Sequence, residues 1–515
     1  MTHPHDSNNN RNPTSPSLNQ KVPRKAWMSL AILGSALLIA MYGETMLLPA
    51  IPDIIEEFDI SYNTSSWILS AYLIAGAVAT PLGGKLSDIY GRKKMVMIIL
   101  IIYIIGITLG GISSNITFLI VARVIQGIGI SMFPIAFGII RDQFPIDKLA
   151  IGVGVFSSMF AAGSVVGLAL GANIIENFGW RTTFFSVVFV AIALWFIIRR
   201  YIDDRQESVN MIDSPEQLHT PTSVENKINV LNEETTNDKT KKNIDMKGTV
   251  TLAVTVISLL MVLSYSQTNN IGSYQIAIFL CVGIASLGLF VIVEKKSKSP
   301  LVNFQLMANK TILSANIILV IAFLSMFTIF QTIPVLVRSP QPFGFGETVI
   351  STANIQLPFM IVFLLFAPSS GFIVSKLGNI KPTMIGSIVS ALGFSSLFLF
   401  HSNGILVSTN LAIIAGGLSL MQVGGFDIVL QSTPRKFSGI SLGMTVLFNL
   451  VGGSVGPAVA GIYMQANQVL IKGVGSYPSP DSYNLIFLTI ALASLIPIAL
   501  SIYIRKRCPD KVLVE

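Results

Sequence analysis

The chain has 515 residues, of which 52% are hydrophobic and only 12% charged, and its mean hydropathy is +0.68. That composition lies outside the range in which apolar side chains merely fill a water-soluble core, and it points to a polytopic membrane protein. The net charge of +8 and pI near 9.3 call for no polyanion: the basic residues are spread over tails and loops between apolar runs, so a nucleic-acid partner is excluded.

Residues 1–26, rich in Asn, Pro and Ser and closed by Lys21, Arg24 and Lys25, read as a disordered cytoplasmic tail. Spanning about 30 Å of hydrocarbon takes roughly 20 helical residues at about 1.5 Å each. Windows of that kind follow at 27–50, 65–86, 95–112, 116–140, 150–175 and 182–199, a first six-helix bundle over 27–200. The first window is too long for a signal-peptide core and leads straight into another helix, so no cleavage is expected. The polar, acid-rich stretch 201–247 reads as a flexible cytoplasmic linker. Windows 248–266 and 274–293 form an apolar hairpin with few polar groups, an insertion over 248–294. A cytoplasmic connection, 295–310, leads to windows 311–335, 349–375, 382–401, 405–430, 439–463 and 483–504, a second bundle over 311–505, with a cytoplasmic tail at 506–515. The expected fold is an all-α membrane protein: two pseudo-symmetric six-helix bundles plus an inserted two-helix hairpin, fourteen transmembrane helices, both termini cytoplasmic.

Lysine and arginine test this topology, because they collect in cytoplasmic segments. With both termini and every even-to-odd connection placed inside, all 34 basic residues except Arg123, Arg181, Arg338 and Lys472 fall on the cytoplasmic side. Cys281, inside the eighth helix, and Cys508, in the inner tail, are not placed to pair, so neither a disulfide nor a metal framework is expected. Weak repeats link the bundles. Gly371–Gly378 resembles Gly84–Gly91 without its acid, and Gly163, Gly167 and Gly171 of the fifth helix pair with Gly452, Gly456 and Pro457, beside Gly453 and Gly461, of the thirteenth. Glycines every four residues clear a groove for a neighbouring helix, and repeats flanking a midplane cavity are how alternating-access carriers are built.

Ionisable side chains inside the apolar windows are few, and each costs about 2.5–3.5 kcal/mol at a helix centre, which argues for a role. Glu44 lies about 13 Å of helix from Asp53, in the outer half of the membrane. Burial disfavours the ionised form of an acid, which makes Glu44 a candidate proton carrier; the alternative is a carboxylate capped by backbone donors. Arg123 shares a helix face with Gln126 and Gly127, and on structural grounds alone it ties helices together through backbone carbonyls. Asp427, about 12 Å of helix from Arg435, belongs to the inner half of the twelfth helix as a proton carrier or an ion-pair latch. Tyr42, Trp67, Gln126, Phe133, Phe137, Gln331, Gln356, Met421, Gln422 and Asn449 are candidates to line an amphipathic cavity, although Met and aromatic side chains also simply pack against lipid and other helices.

No GxxxxGK[ST] loop occurs, so ATP is not the expected energy source. No HExxH and no paired Asp in a helix core points to an enzyme, His401 stands alone at an outer helix end, and no cofactor or metal is expected.

Between the second and third windows the turn Gly84–Lys94 gathers a glycine, Asp88, a second glycine, Gly91, and the basic Arg92 and Lys93. With Trp67 and Tyr72 in the second helix, Arg123, Gln126 and Gly127 in the fourth and Gly179, Trp180 and Arg181 before the sixth, this pattern resembles the major facilitator superfamily. Asp245–Gly248 and Pro300–Leu306 around the hairpin narrow the likeness to its fourteen-helix drug:proton antiporters, over nearly all of residues 27–505. Gly167 is followed by Leu168 where that subgroup's fifth helix carries proline. The resemblance implies a multi-pass cell-membrane transporter that exchanges protons for lipophilic or cationic drug-like small molecules by alternating access. The second reading is proton-coupled export or uptake of one metabolite. It further implies that Asp88, Arg92 and Lys93 latch the halves on the inner side, with Gly84 and Gly91 allowing close approach. Arg123 would act in proton coupling, and the glycines of the fifth and thirteenth helices would gate. The expected partners are protons, a small-molecule cargo and the bilayer, and the chain is expected to be a monomer. Tags at the two chain ends should both be reached only from the cytoplasmic side in intact cells; reactivity on opposite sides would break the topology.

Overall fold

A computed structural model describes residues 22–144, 149–202, 246–265, 273–297, 300, 302, 304–434, 438–471 and 475–507. Most of the expected tails and of the linker 201–247 lies outside the described residues, as do the side chains of Asp88 and Phe137. In chain order the first six spans are built from α1 (Arg24–Thr45), α2 (Ile51–Phe58), α3 (Tyr62–Ser65), α4 (Trp67–Tyr90), α5 (Arg92–Gly111), α6 (Ile116–Gly127), α7 (Met132–Gln143), α8 (Leu149–Phe178) and α9 (Trp180–Tyr201). The hairpin is α10 (Met246–Tyr265) and α11 (Ser273–Lys296), and the short α12 (Phe304–Met307) leads into the last six spans. These are α13 (Lys310–Arg338), α14 (Val349–Leu377), α15 (Ile380–Leu399), α16 (Gly404–Gln431), α17 (Ser438–Ala466), and α18 (Pro480–Ala493) with α19 (Leu495–Arg507). Among the described residues thirteen helical segments are long and apolar enough to cross a membrane, and Lys247–Val262 is a shorter apolar helix in the fourteenth place.

The structure differs from the sequence windows where proline and glycine interrupt helices. The first span does not stop near residue 50: after α1 ends at Thr45, a 3-10 turn at Leu48–Ala50 leads into α2, which carries the chain to Phe58. Pro49 and Pro52 lack the N–H that an unbroken helix would use. The fourth span is likewise divided by a 3-10 turn, Ile128–Ser131, after Gly127. A two-stranded antiparallel hairpin, β1 (Gln468–Ile471) and β2 (Gly475–Pro478), follows α17; no window pointed to it. Residues 24–26, read as tail, begin α1, and 506–507 complete α19.

Corresponding helices of the two sets end and begin alike. Gly91 after α4 and Gly378 after α14 take φ of 94° and 77°, the region that glycine enters without Cβ strain. Asn115 and Asn403 cap α6 and α16 by accepting the backbone N–H three residues on, at 2.9 and 3.0 Å.

The glycine rows set the tight helix pairs. α8 lies on α1, and a Cβ at Gly163 or Gly171 would come within 2.9 Å of the Cα of Leu38 or Met46; at Gly167 it would come within 2.8 Å of the Tyr42 Cα. α17 lies on α13 in the same way, with Gly452 2.7 Å from the Val320 carbonyl oxygen and Gly456 2.8 Å from the Thr328 nitrogen by the same construction. Pro457 follows inside α17.

Among the described residues four polar contacts tie the first set of spans to the last, and all four lie at the end away from Gly84–Lys94, which the structure folds as the last turns of α4 and the start of α5 about Gly91 and not as a turn of its own. Asp53 of α2 forms an ion pair with Arg338 at the end of α13. Gln331 Nε2 donates to Ser65 Oγ at 3.0 Å, Ser70 Oγ to the Ser454 carbonyl at 2.7 Å, and Tyr62 Oη to the Ser476 carbonyl of β2 at 3.2 Å. The α10–α11 hairpin is less separate than an insertion would be. α10 touches both α4 and α17. Its hydroxyls are used: Thr251 and Thr255 donate to carbonyls one turn back, at 2.8 Å each, and Ser286 of α11 donates to the Thr251 carbonyl at 2.8 Å.

Gly456→Ala is expected to lower the thermal midpoint of the purified protein by the equivalent of about 1–3 kcal/mol, since the added methyl meets backbone. Gly443→Ala, where a Cβ meets nothing within 4 Å, should leave the midpoint unchanged or raise it. Equal effects at the two positions would refute the tight groove.

Candidate functional site

A cavity of about 200 Å³ lies between the two sets of spans. α1, α4, α5, α7 and α8 line it from one side and α13, α14, α16 and α17 from the other. It runs from the middle of the bundle toward the end that carries Gly84–Lys94, and the four cross-contacts close it on the other side. Six phenylalanines, Phe133, Phe156, Phe323, Phe327, Phe363 and Phe426, give it an aromatic wall. Among the described residues that line it, Glu44 is the one charged side chain, with Ser419, Gln422 and Asn449 the other polar ones.

Glu44 occupies the last turn of α1 and is 7% exposed. Among the described residues no hydrogen bond and no ion pair from the protein reaches its carboxylate. It also borders a second, water-sized chamber of about 20 Å³ beside Thr45, Ser164, Phe330 and Phe359. Its neighbours are fixed: Thr45 Oγ1 lies 3.1 Å from the carbonyls of Met41 and Ser164, which joins α1 to α8.

Arg123 is treated in the opposite way. It is wholly buried, and Nε donates to the Ile68 carbonyl at 3.0 Å while Nη1 donates to the Gly43 carbonyl at 2.9 Å and to Gln126 Oε1 at 2.8 Å. The guanidinium stacks over the Tyr72 ring, 4.4 Å from its centre, a favourable cation–π arrangement in a desolvated place. Nη2 alone has no partner. Tyr103 adds a bond to the Ile39 carbonyl at 2.9 Å. Taking such a charge from water costs several kcal/mol unless geometry and hydrogen bonds compensate, and here they tie α6 to α1 and α4. The carbonyl that Arg123 holds belongs to Gly43, the residue before Glu44.

Of the residues read as cavity lining, Phe133, Gln422 and Asn449 line it. Gln126 does not: the face it shares with Arg123 is turned into the α1–α4 contact, where Gly127 packs with its Cβ position 2.9 Å from Ala75 Cβ. Tyr42 is turned toward α9, its hydroxyl 2.9 Å from Ser186 Oγ. Trp67 begins α4 at the closed end, Gln331 is bound to Ser65 there, and Gln356 and Met421 are buried off the cavity. Asp427 also stands apart, accepting from Gln431 Nε2 at 2.7 Å; that amide's oxygen accepts from Asn379 Nδ2 at 3.0 Å. At the junction of α4 and α5, Gly84 has open space around its Cβ position, and the Arg92 guanidinium lies against Gly138, where a Cβ would stand 3.0 Å from Cζ. The side chain of Asp88, the acid of that turn, lies outside the described residues. No group of His, Cys, Asp and Glu suited to a metal occurs among the described residues.

Two features escaped the sequence reading. The aromatic wall is drawn from five helices whose phenylalanines look like any others in an apolar window. The Asp53–Arg338 pair joins residues 285 apart, and its one signal was that Arg338 fell outside the cytoplasmic set.

Arg123→Lys cannot reproduce three donor directions and a stacked plane. It should cost about 3–5 kcal/mol of stability, read as a lower thermal midpoint and reduced membrane abundance; an unchanged midpoint would show that the network is not structural.

Comparison with known proteins agrees with this architecture. The profile described as Major Facilitator Superfamily matches residues 33–457. The multidrug transporter protein MdtP of Bacillus subtilis strain 168 is 27% identical over 444 residues, which covers 84% of this chain and 75% of that protein. Multidrug resistance protein 3 of the same organism is 28% identical over 372 residues, 71% of this chain and 65% of that one. Among solved structures, the human organic anion transporter MFSD10 (TETRAN) superposes with a TM-score of 0.61 at 12% identity, covering 93% of this chain and 100% of that chain. At that identity the likeness concerns the fold alone.

Proposed function

Because the chain belongs to the Major Facilitator Superfamily, whose members are multi-pass membrane transporters and not enzymes, we propose that it is a proton-coupled antiporter that expels lipophilic, cationic drug-like molecules from the cell across the plasma membrane. The observation that carries this reading is the cavity: an aromatic, apolar chamber whose one charged group among the described residues is the Glu44 carboxylate, which no hydrogen bond or ion pair from those residues reaches. Apolar walls hold varied flat molecules without directional contacts, and the carboxylate selects those that are positive. Proton and cationic cargo then compete for one group. Linkage makes each weaken the binding of the other, which is the condition for exchange. The multidrug names of the relatives point the same way.

In this scheme the two six-helix bundles rock about the cavity, each tightened by its glycine row, Gly163, Gly167 and Gly171 on one side and Gly452, Gly456 and Pro457 on the other. The end carrying Gly84–Lys94 is cytoplasmic, by the distribution of lysine and arginine, and both termini lie there. The cavity therefore faces the cytoplasm, where cargo enters. Gly84, Asp88, Gly91, Arg92 and Lys93 close that end when the cavity turns outward, with Asp427, Gln431 and Asn379 as the matching polar cluster of the second bundle. Arg123 supports coupling from behind, by fixing the backbone next to Glu44. The chain acts as a monomer.

In vesicles carrying the purified protein and an imposed pH difference, Glu44→Gln should abolish proton-linked movement of a fluorescent lipophilic cation without lowering the amount of folded protein. Undiminished exchange in that variant would remove Glu44 from the mechanism. Accumulation of the cation on the alkaline side, driven by outside acid, would replace antiport with symport.

A further inference from the structure

Besides Glu44, three polar side chains face the cavity, and their bonding differs. Ser419 Oγ is 3.1 Å from Ser370 Oγ and is satisfied. Asn449, only 1% exposed, has neither amide atom bonded to the protein, and Gln422 leaves Nε2 unbonded. Both stand on the wall contributed by the last six spans, through α16 and α17, whereas Glu44 belongs to the wall of the first six.

A buried amide group left without a partner costs about 1–3 kcal/mol, and Asn449 has two such atoms. A leucine of similar volume would avoid the cost, and the neighbouring lining positions on the same helices are filled that way, by Val423, Phe426, Val446 and Leu450. Three buried amides in other parts of the bundle are at least partly used: Gln331 Nε2 bonds Ser65, Asn316 Nδ2 donates to the Ile312 carbonyl at 2.9 Å, and Gln126 Oε1 accepts from Arg123, while Gln331 Oε1 and Asn316 Oδ1 have no partner among the described residues. Gln356 shares the unbonded state but does not border the cavity. The amides that do border it are therefore placed where an arriving molecule can complete them.

We propose that Asn449 and Gln422 form a hydrogen-bonding subsite for a neutral, amide-like group on the cargo. The preferred substrates are then aromatic cations whose positive end lies at Glu44 and whose other end carries a carboxamide or a group with the same donor and acceptor pattern. Asn449 offers one carbonyl acceptor and an NH₂ donor, the complement of a carboxamide, and Gln422 Nε2 adds a donor for its oxygen. A cargo that lacks the group leaves both side chains unpaired in a dry place, so discrimination here is stronger than apolar contact can supply. The subsite rests on the reading of this cavity as that of a cation carrier.

The test uses two permanent cations of matched shape, the N-(4-carbamoylbenzyl)pyridinium cation and its analogue with isopropyl in place of the carboxamide. In vesicles carrying the full chain, KM for the carboxamide cation should be about tenfold lower than for the isopropyl one, and Asn449→Leu should bring that ratio to about one. Gln422→Leu, at a less buried position, should move the ratio the same way and carries the test if Asn449→Leu fails to reach the membrane. A parent protein without the preference, or variants that keep the parent's ratio, would overturn the subsite while transport of both cations left the carrier reading intact. A parent protein that moves neither cation would overturn the carrier reading, and the subsite with it.

Discussion

A charge removed from water must be met by the protein or be neutralised, and the first six spans handle their two buried charges in opposite ways. Arg123 spends its donors on the carbonyls of Ile68 and Gly43 and on Gln126, over the face of Tyr72. Glu44, one residue beyond the carbonyl that Arg123 holds, receives no hydrogen bond and no ion pair among the described residues. A long, branched guanidinium reaches three helices at once, whereas the carboxylate at the last turn of α1 borders two chambers lined mostly by phenylalanines, methionines and aliphatics. The satisfied charge is scaffold. The unsatisfied one is open to a proton or to a cationic ligand, and on the reading proposed above the first serves to keep the second in place while its charge changes.

Movement and rigidity are divided in a similar way. Inside each set of spans, glycines bring α8 onto α1 and α17 onto α13 at backbone distance, so these pairs shift only as units. Between the sets, α14 packs along α8 and α17 along α4, and the polar contacts described above are single hydrogen bonds and one ion pair at one end. The α10–α11 hairpin lies beside this boundary and touches α4 and α17 together, a position that a purely passive insertion would not need.

The architecture was legible because hydrocarbon imposes length and polarity on every crossing segment, and positive charge marks one side. The glycine rows were legible as grooves because their period matches a helix face. Glu44 stood out because an acid in an apolar run is rare. What the sequence could not decide was which face of a helix meets which neighbour. Arg123, Gln126 and Gly127 do share a face, but that face meets α1 and α4, so Gln126 supports the arginine and does not line the cavity. Asp427 is likewise bonded to Gln431 and does not border the chamber. The phenylalanine wall is a property of five helices together, and no single window contains it.

The closing contacts at the end away from Gly84–Lys94 have an electrolyte consequence. Asp53 and Arg338 keep 27% and 22% of their side-chain surface in contact with solvent, and beside them Glu57 and Arg181 pair at 2.7 Å with 42% and 35% exposed. Attraction between charges so wetted is screened by mobile ions over a Debye length of about 8–10 Å at physiological salt, whereas the aromatic and glycine contacts deeper in the bundle are not. On the reading proposed above, the balance between the two orientations of the chamber is therefore coupled to the ionic strength of the medium bathing that surface, with brine loosening the clasp and dilute surroundings drawing it shut.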